Sequence, residues 1–462
     1  IDRRATWSIS RWRSRAFSTS PSIMKKTPAK RMMNTCTQCG LCDEVCPEDI
    51  EIGGMLLEAR RSLHRQATLP GAYHQFWLRD MEFTNGELAA LAKKPPGTEA
   101  CTYAFFPGCQ LGAADPRYVT EPYRWLLSEK PDTGLLLRCC GVPAEWAGNE
   151  EMHSAVISEL RNDWEQLGKP VLILACPACR KHMKEYLPEI ETITLYEVMD
   201  QWGCEPGQQG AGRPFLEPGR SLEPGSSEVF SIFDPCTARH VEPLEQSVRA
   251  LAQKAGLAWE ELPKGDMHGC CGYGGHVSEA NADFFSHVVK SRSELSENPY
   301  LVYCINCRDV FRGEGKPALH ILDLFFDAGE QDALPGLSQR RRNRTDLKET
   351  LLKEIWGETM EKKPEPCRFR LVIGAEVQEK MDARKILEED VCQAIELGEE
   401  TKRRTFDPEK GTYTCYRESG NITFWAEYRK DGETYEVVNA YTHRMKIKLE
   451  GVWNGRKTEV DL

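Results

Sequence analysis

The chain has 462 residues, 40% hydrophobic and 28% charged, with a net charge of −11, a length that suits about three domains of ordinary size. Its longest apolar stretch, "VLILAC" at 171–176, is far short of a membrane span, and basic residues cluster mainly at the N-terminus and in "RRRNR" at 340–344, so an integral membrane segment and a broad nucleic-acid face are both excluded. Nineteen cysteines imply either disulfides outside the cell or metal centres inside it, and spacing must decide between them.

Residues 1–33 carry nine Lys/Arg against one acid, Asp2, with no long apolar core, which excludes a secretory signal peptide. The composition superficially resembles a mitochondrial transit peptide, but with Met24 available as a start the segment reads as a disordered or non-native extension. Residues 34–98 open with "CTQCGLCDEVCP", placing Cys36, Cys39, Cys42 and Cys46 before Pro47. Three thiolates spaced by two residues, then a Cys-Pro, is the ligand loop of a bacterial-type ferredoxin 4Fe-4S cluster. Either Cys46 or Cys101 completes that set. "MLLEARRSLHRQ" and "GELAALAKK" follow with helical periodicity.

From 99 to 330 the chain repeats itself. "TYAFFPGC" and "VFSIFDPC" are apolar strands broken by proline just before a cysteine, each followed by Cys-Cys-Gly, a helix and a second strand ending in Cys-x-x-Cys. The first copy (99–204) holds Cys109, Cys139, Cys140, Cys176 and Cys179; the second (228–330) holds Cys236, Cys270, Cys271, Cys304 and Cys307. Corresponding cysteines are offset by 127, 131, 131, 128 and 128 residues, so one fold unit occurs twice. Alternating strands and helices predict an α/β unit with a largely parallel sheet, its cysteines at the strands' carboxyl ends. Five thiols exceed the need of tetrahedral zinc or of an ordinary cubane. A vicinal pair on extended backbone points to opposite sides, so Gly141 and Gly272 are expected to make the turn that brings both thiols to one centre. Paired zinc sites and buried packing thiols are the alternative readings.

The Pro/Gly-rich stretch 205–227 reads as a flexible linker, and 331–366 as a polar linker with a helical portion. The basic run "RRRNR" is expected to be solvated or to meet a partner. Residues 367–462 combine an amphipathic helix with alternating strands and an Asp431-Gly432 hairpin turn, a small α+β domain of no assigned role. The remaining cysteines, Cys101, Cys204, Cys367, Cys392 and Cys415, lack metal spacing and are expected to be ordinary thiols. His268 and His276 flank the second triplet and are candidate proton carriers, His268 within the catalytic group, although hydrogen bonding to the loop is the plainer role.

Two Cys…Cys-Cys-Gly…Cys-x-x-Cys repeats at 109–179 and 236–307, behind a ferredoxin-type segment at 36–47, resemble the cysteine-rich CCG domains of the heterodisulfide reductase family, as found in its B and D components, with a module like its C component fused ahead. Related architecture occurs in the iron–sulfur C component of glycerol-3-phosphate dehydrogenase and in lactate-oxidation iron–sulfur proteins. The resemblance implies one ferredoxin-type 4Fe-4S cluster and two non-cubane 4Fe-4S clusters, each of the latter held by one set of five thiolates. It also implies a cytoplasmic, oxygen-sensitive oxidoreductase subunit that reduces or forms a disulfide in two one-electron steps in a pocket both sets share, with Cys139, Cys140, Cys270 and Cys271 at the reacting centre. A flavin-containing or other redox partner would exchange electrons through Cys36–Cys46. The alternative is a non-catalytic electron-transfer subunit linking a dehydrogenase or flavoprotein to a quinone or membrane acceptor.

Overall fold

Short apolar runs buried on both faces dictate the architecture. A computed structural model describes residues 27–207, 215–217, 220–221, 229–262, 269–326, 333–360 and 367–443. In the first repeat Leu91–Lys93 (β1), Tyr103–Phe106 (β2), Gly134–Leu137 (β3), Val171–Leu174 (β4) and Thr192–Thr194 (β5) form a sheet in the order β1-β3-β2-β4-β5. All pairs are parallel except β1 with β3. Helices Arg117–Glu129, Glu150–Gln166 and Pro177–Tyr186 make the crossovers. Because side chains alternate along a strand, Phe105 and Ile173 enter one core while Ala104, Phe106, Leu172 and Leu174 enter another.

The stretch 205–227 lies mostly outside the described residues, which include a short antiparallel pair, Phe215–Glu217 (β6) with Arg220–Ser221 (β7). Beyond it Val229–Phe233 (β8), Ala258–Glu261 (β9), Tyr300–Val302 (β10) and Ala318–His320 (β11) form an all-parallel sheet in the order β11-β10-β8-β9. The repetition extends to single hydrogen bonds. Asn149 caps the helix after the first Cys-Cys-Gly by accepting from Met152 N, and Asn281 caps its counterpart by accepting from Phe284 N. Capping boxes Thr194/Glu197 and His320/Asp323 close the two copies in the same way. Phe105, Ile173 and Tyr196 from one copy and Phe230, Ile232 and Tyr303 from the other share one core.

The chain divides into two compact units, Ile1–Leu334 with Asn343–Glu361, and Pro335–Arg342 with Lys362–Leu462. In the second, Arg370–Ile373 (β12), Arg404–Asp407 (β13), Thr412–Ser419 (β14), Ile422–Asp431 (β15) and Thr434–His443 (β16) form a sheet in the order β12-β16-β15-β14-β13, antiparallel except for β12 with β16. Helix Glu388–Thr401 packs Ala394 and Ile395 against Phe424 and Ala426. The observed class is α/β with tandem repeats, and residues 367–443 are α+β as expected.

Three expectations change. "GELAALAKK" supplies strand β1 rather than a helix, its Leu91–Lys93 completing the edge of the first sheet. The "RRRNR" run is not a solvated patch, since Arg341, Asn343 and Arg344 are all buried. Arg344 makes a bidentate pair with Asp80 at 2.8 and 2.9 Å and donates through Nε to Cys109 O at 2.9 Å, holding the first cysteine loop. Lastly, Cys367 and Cys392 are joined by a disulfide, with Cα atoms 5.8 Å apart.

The leading segment is held by one side chain. Arg60, on helix Ile52–Arg65, is fully buried and donates to Met33 O (3.0 Å), Cys36 O (2.7 Å), Trp146 O (3.0 Å) and Gly275 O (3.2 Å), so it joins the ferredoxin-type loop to both repeats. Burial lowers Arg60 to about 10, still protonated at neutral pH. Arg60→Ala would leave these carbonyls without their donor. We expect a loss of about 3–5 kcal/mol, read as a lower denaturant midpoint, with Arg60→Lys recovering less than half because one ammonium cannot span the four acceptors.

Candidate iron–sulfur centres and the cavity beside them

Each cysteine loop sits where a parallel strand gives way to a helix. β2 ends before Cys109 and β8 before Cys236, while Cys176 and Cys304 are the residues preceding helices Pro177–Tyr186 and Ile305–Gly313. The vicinal pairs follow β3 in the first copy and the 263–268 segment in the second. Gly141 and Gly272, directly after the pairs, have φ of 102° and 100°. This left-handed backbone is open to glycine and strained for other residues, and it makes the expected turn.

The turn lays the thiols out identically in the two copies. In the first, side-chain hydrogen bonds run Cys109, Cys139, Cys140, Cys179, Cys176; in the second they run Cys236, Cys270, Cys271, Cys307, Cys304. Cys307 Sγ and Cys271 Sγ are 3.2 Å apart. Hydrogen bonds from Cys139 and Cys179 lower Cys140 to about 6, and those from Cys270 and Cys307 lower Cys271 to about 5. In both copies it is the second cysteine of the pair that is held most readily as thiolate, the form that ligates iron. Among the described residues no three Cys, His, Asp or Glu side chains close around a single-ion position. Gly108 fits such a cradle as well, since a Cβ there would lie 3.2 Å from both Cys176 Cβ and Cys179 Sγ. Five clustered soft thiols on glycine-bearing turns are a donor set suited to iron–sulfur centres.

The ferredoxin-type loop is seated on the second set and not on the first. Cys39 shares a hydrogen bond with Cys270, which raises Cys39 and lowers Cys270, and Arg239 Nη1 donates to Cys39 O at 3.0 Å. Gly274 and Gly275 permit this approach, because a Cβ on them would stand 2.1 Å from Thr37 O and 2.0 Å from Cys36 O. Cys36, Cys39 and Cys42 are mutual electrostatic neighbours. Cys46 Sγ instead accepts from Ile50 N at 3.4 Å. Cys101 lies at the amino end of β2, its thiol next to Gly134 at the start of β3, and therefore at the opposite end of the strand from Cys109.

The first set borders a cavity. All five of its cysteines line the cavity, whereas the second repeat contributes Tyr273, His276 and Asn306 but none of its cysteines. Trp77 and Trp146 complete an aromatic wall: Trp77 stacks on His276 with centroids 5.8 Å apart and planes at 9°, and both indoles meet Tyr273 edge-on. His268 lies outside the described residues. His276 is buried, its Nδ1 lying 2.8 Å from His74 Nδ1. Burial keeps both imidazoles well below their ordinary value, hence neutral. A second buried imidazole pair, His153 and His182 (Nε2 to Nε2, 3.0 Å), lies beside Gly141 and is anchored by Glu145 at 3.1 Å from His182 Nδ1. Sequence reasoning missed Arg60, Trp77, His74, Asn306 and this pair. Asn306 was detectable, because it stands in the second Cys-x-x-Cys where the first copy has Ala178.

Comparison with known proteins agrees with this layout. Residues 5–51 match the 4Fe-4S dicluster domain, and residues 103–184 and 230–311 each match the cysteine-rich domain CCG. The chain is 23% identical over 278 residues to the B component of the fumarate reductase (CoM/CoB) of Methanothermobacter marburgensis, covering 56% of this chain and 52% of the relative. It is 22% identical to an uncharacterized iron-sulfur protein of Methanocaldococcus jannaschii, covering 56% of this chain and 52% of the relative. It is 25% identical to the "EtfAB:quinone oxidoreductase" of Syntrophomonas wolfei, covering 52% of this chain and 36% of the relative. The chain thus spans about half or less of the length of the curated relatives it matches. No solved structure matches it. Among the described residues no helix is long and apolar enough to cross a membrane.

Gly275→Ala is expected to unseat the ferredoxin-type loop while leaving the first thiol set intact. Anaerobically prepared protein should then lose the paramagnetic signal of the reduced ferredoxin-type centre and keep most of its remaining iron. Gly374→Ala, whose Cβ meets nothing within 4 Å, should change neither.

Proposed function

We propose that this chain, an iron–sulfur oxidoreductase carrying a ferredoxin-type 4Fe-4S segment ahead of tandem cysteine-rich domains, conducts electrons in a fixed order: in at the leading segment, through the second repeat, and out at the first. Cys36, Cys39 and Cys42 would hold the entry cluster. Cys236, Cys270, Cys271, Cys304 and Cys307 would hold the middle one, and Cys109, Cys139, Cys140, Cys176 and Cys179 the last. When bound, such clusters accept and release electrons singly, which lets a two-electron reaction proceed in two steps. The observation that carries this reading is the close seat of the ferredoxin-type loop on the second repeat, where Gly274 and Gly275 meet the backbone of Thr37 and Cys36 and Arg239 donates to Cys39 O, together with a cavity lined by the cysteines of the first set. Tyr196 supports the connection between repeats: its hydroxyl donates at 2.9 Å to both Ala175 O and Tyr303 O, the residues preceding Cys176 and Cys304.

The chain's own groups shape the outlet. Pro107, Pro143 and the aromatic wall line the cavity beside the first set. Arg344 fixes the Cys109 loop through its carbonyl while neutralising Asp80. The electron donor is proposed to be a flavin-containing or other redox partner that meets the leading segment. A disulfide acceptor is the second reading, favoured by the likeness to the fumarate reductase component named for CoM and CoB. The single set at the cavity speaks against a mechanism in which each repeat engages one sulfur.

Cys271→Ser tests the order. The variant should lose iron from the second repeat, keep a reducible ferredoxin-type signal, and no longer pass electrons from a reduced donor to the first set. Full iron content or undiminished transfer would overturn the assignment. Spectral changes at the first set on adding small disulfides or thiols would favour the disulfide reading.

A further inference from the structure

Electrons that enter at the leading segment need a surface on which their donor can dock, and the inference here rests on that entry. The four cysteines of the segment are only half-buried, whereas both Cys-Cys-Gly pairs are buried. Directly after Cys42 the chain makes a closed turn: Cys46 O accepts from Asp49 N at 3.3 Å, Cys46 Sγ from Ile50 N at 3.4 Å, and Ile50 O from Ile52 N at 2.9 Å. The turn leaves apolar side chains in water. Val45 is 53% exposed, and Ile50 and Ile52 are each 37% exposed. Among the described residues of the first unit five large hydrophobic side chains are exposed, and three of them come from this one turn. Apolar side chains exposed as a group, instead of scattered singly, mark a contact surface.

Charge decides what covers it. From Met33 to Ala59 the chain carries six acids and no lysine or arginine. Glu44 is met from the second repeat by His240 at 3.1 Å and Arg239 at 3.9 Å. Glu48, Asp49 and Glu51 are exposed on the same turn as the apolar trio and form no ion pair among the described residues. Uncompensated carboxylates repel anionic lipid, a phosphate backbone and a second copy of this chain, whose net charge is −11. They attract a surface of lysines or arginines.

We infer that the turn Val45–Ile52 docks a redox protein whose contact face sets lysines or arginines around an apolar centre. The partner's cations meet Glu48, Asp49 and Glu51, and its apolar centre covers Val45, Ile50 and Ile52. Complementary charge speeds and orients the encounter, while burial of the apolar side chains holds the pair together during transfer. Each encounter moves one electron, oxidising one centre and reducing the other, and consumes no proton or further reactant. The face serves electrons in either direction, so an oxidised probe can stand in for the donor.

The test mixes anaerobically purified holoprotein, reduced with dithionite and freed of the excess, with ferric cytochrome c, whose haem edge is ringed by lysines, or with cupric plastocyanin, an acceptor with an acidic face. Stopped flow follows reduction of the probe. Cytochrome c should react at least about tenfold faster than plastocyanin at low salt, the gap closing toward about 0.5 M salt as charges are screened. Glu48→Lys and Glu51→Gln should each slow cytochrome c about two- to tenfold at low salt and have little effect at high salt. Ile50→Ser should slow it at both. Glu129→Lys, at the end of the first-repeat helix Arg117–Glu129, alters net charge as Glu48→Lys does and should change the rate less than about twofold, and iron content should be the same in all variants. Salt-independent rates, plastocyanin as fast as cytochrome c, or equal effects of Glu129→Lys and Glu48→Lys would overturn the inference, as would a dimer in size-exclusion chromatography that Ile50→Ser dissociates. Probe reduction reports on the contact face and reduction of the first set on the proposed order, so either can fail and leave the other standing.

Discussion

One buried guanidinium makes the rest of the first unit possible. Arg60 brings a full positive charge into the interior and donates to carbonyl oxygens of Met33, the ferredoxin-type loop and both repeats. Such a group is tolerable inside only if its donors are met, so the four backbone segments have to converge on it. The convergence also sets a cation beside Cys36, where it favours the thiolate against the opposing effect of burial. A single side chain thereby couples the fold to the electrostatics of the entry site.

The two repeats are alike in their sulfur networks and unlike in what surrounds them. Counting 131 residues from the vicinal cysteines, Gly274 and Gly275 of the second copy correspond to Pro143 and Ala144 of the first. Side chains at those places would collide with the backbone of Cys36 and Thr37. The ferredoxin-type loop can therefore seat on the second copy only. The first copy keeps Pro143 as cavity wall, and the freed side of its cysteine loops faces Trp77 and Tyr273. Duplication supplies two centres of similar chemistry, and two missing β-carbons give them different neighbours.

Much of this was legible beforehand. The strands β2, β4, β8 and β10, the helices that follow them and the α+β character of residues 367–443 were all readable from apolar runs and periodicity. Tandem repetition was stronger evidence still, because the five offsets agree within a few residues. Where the reading failed, long-range contacts outweighed local pattern. Leu91–Lys93 has a helical surround yet pairs with β3 as an edge strand. The arginines at 341 and 344 look solvated in sequence and are buried in the fold.

What the sequence by itself made legible was three groups of closely spaced cysteines, two of them repeated at a constant offset, because cysteine spacing is a local property of the chain. Tertiary structure alone decided which set meets which. The approach of Cys39 to Cys270, the cavity on the first set and the pairing of His74 with His276 all depend on groups separated by some 40 to 230 residues. No periodicity or motif encodes distances of that kind, since they arise from how two sheets share one core and a buried arginine ties the leading segment to both repeats.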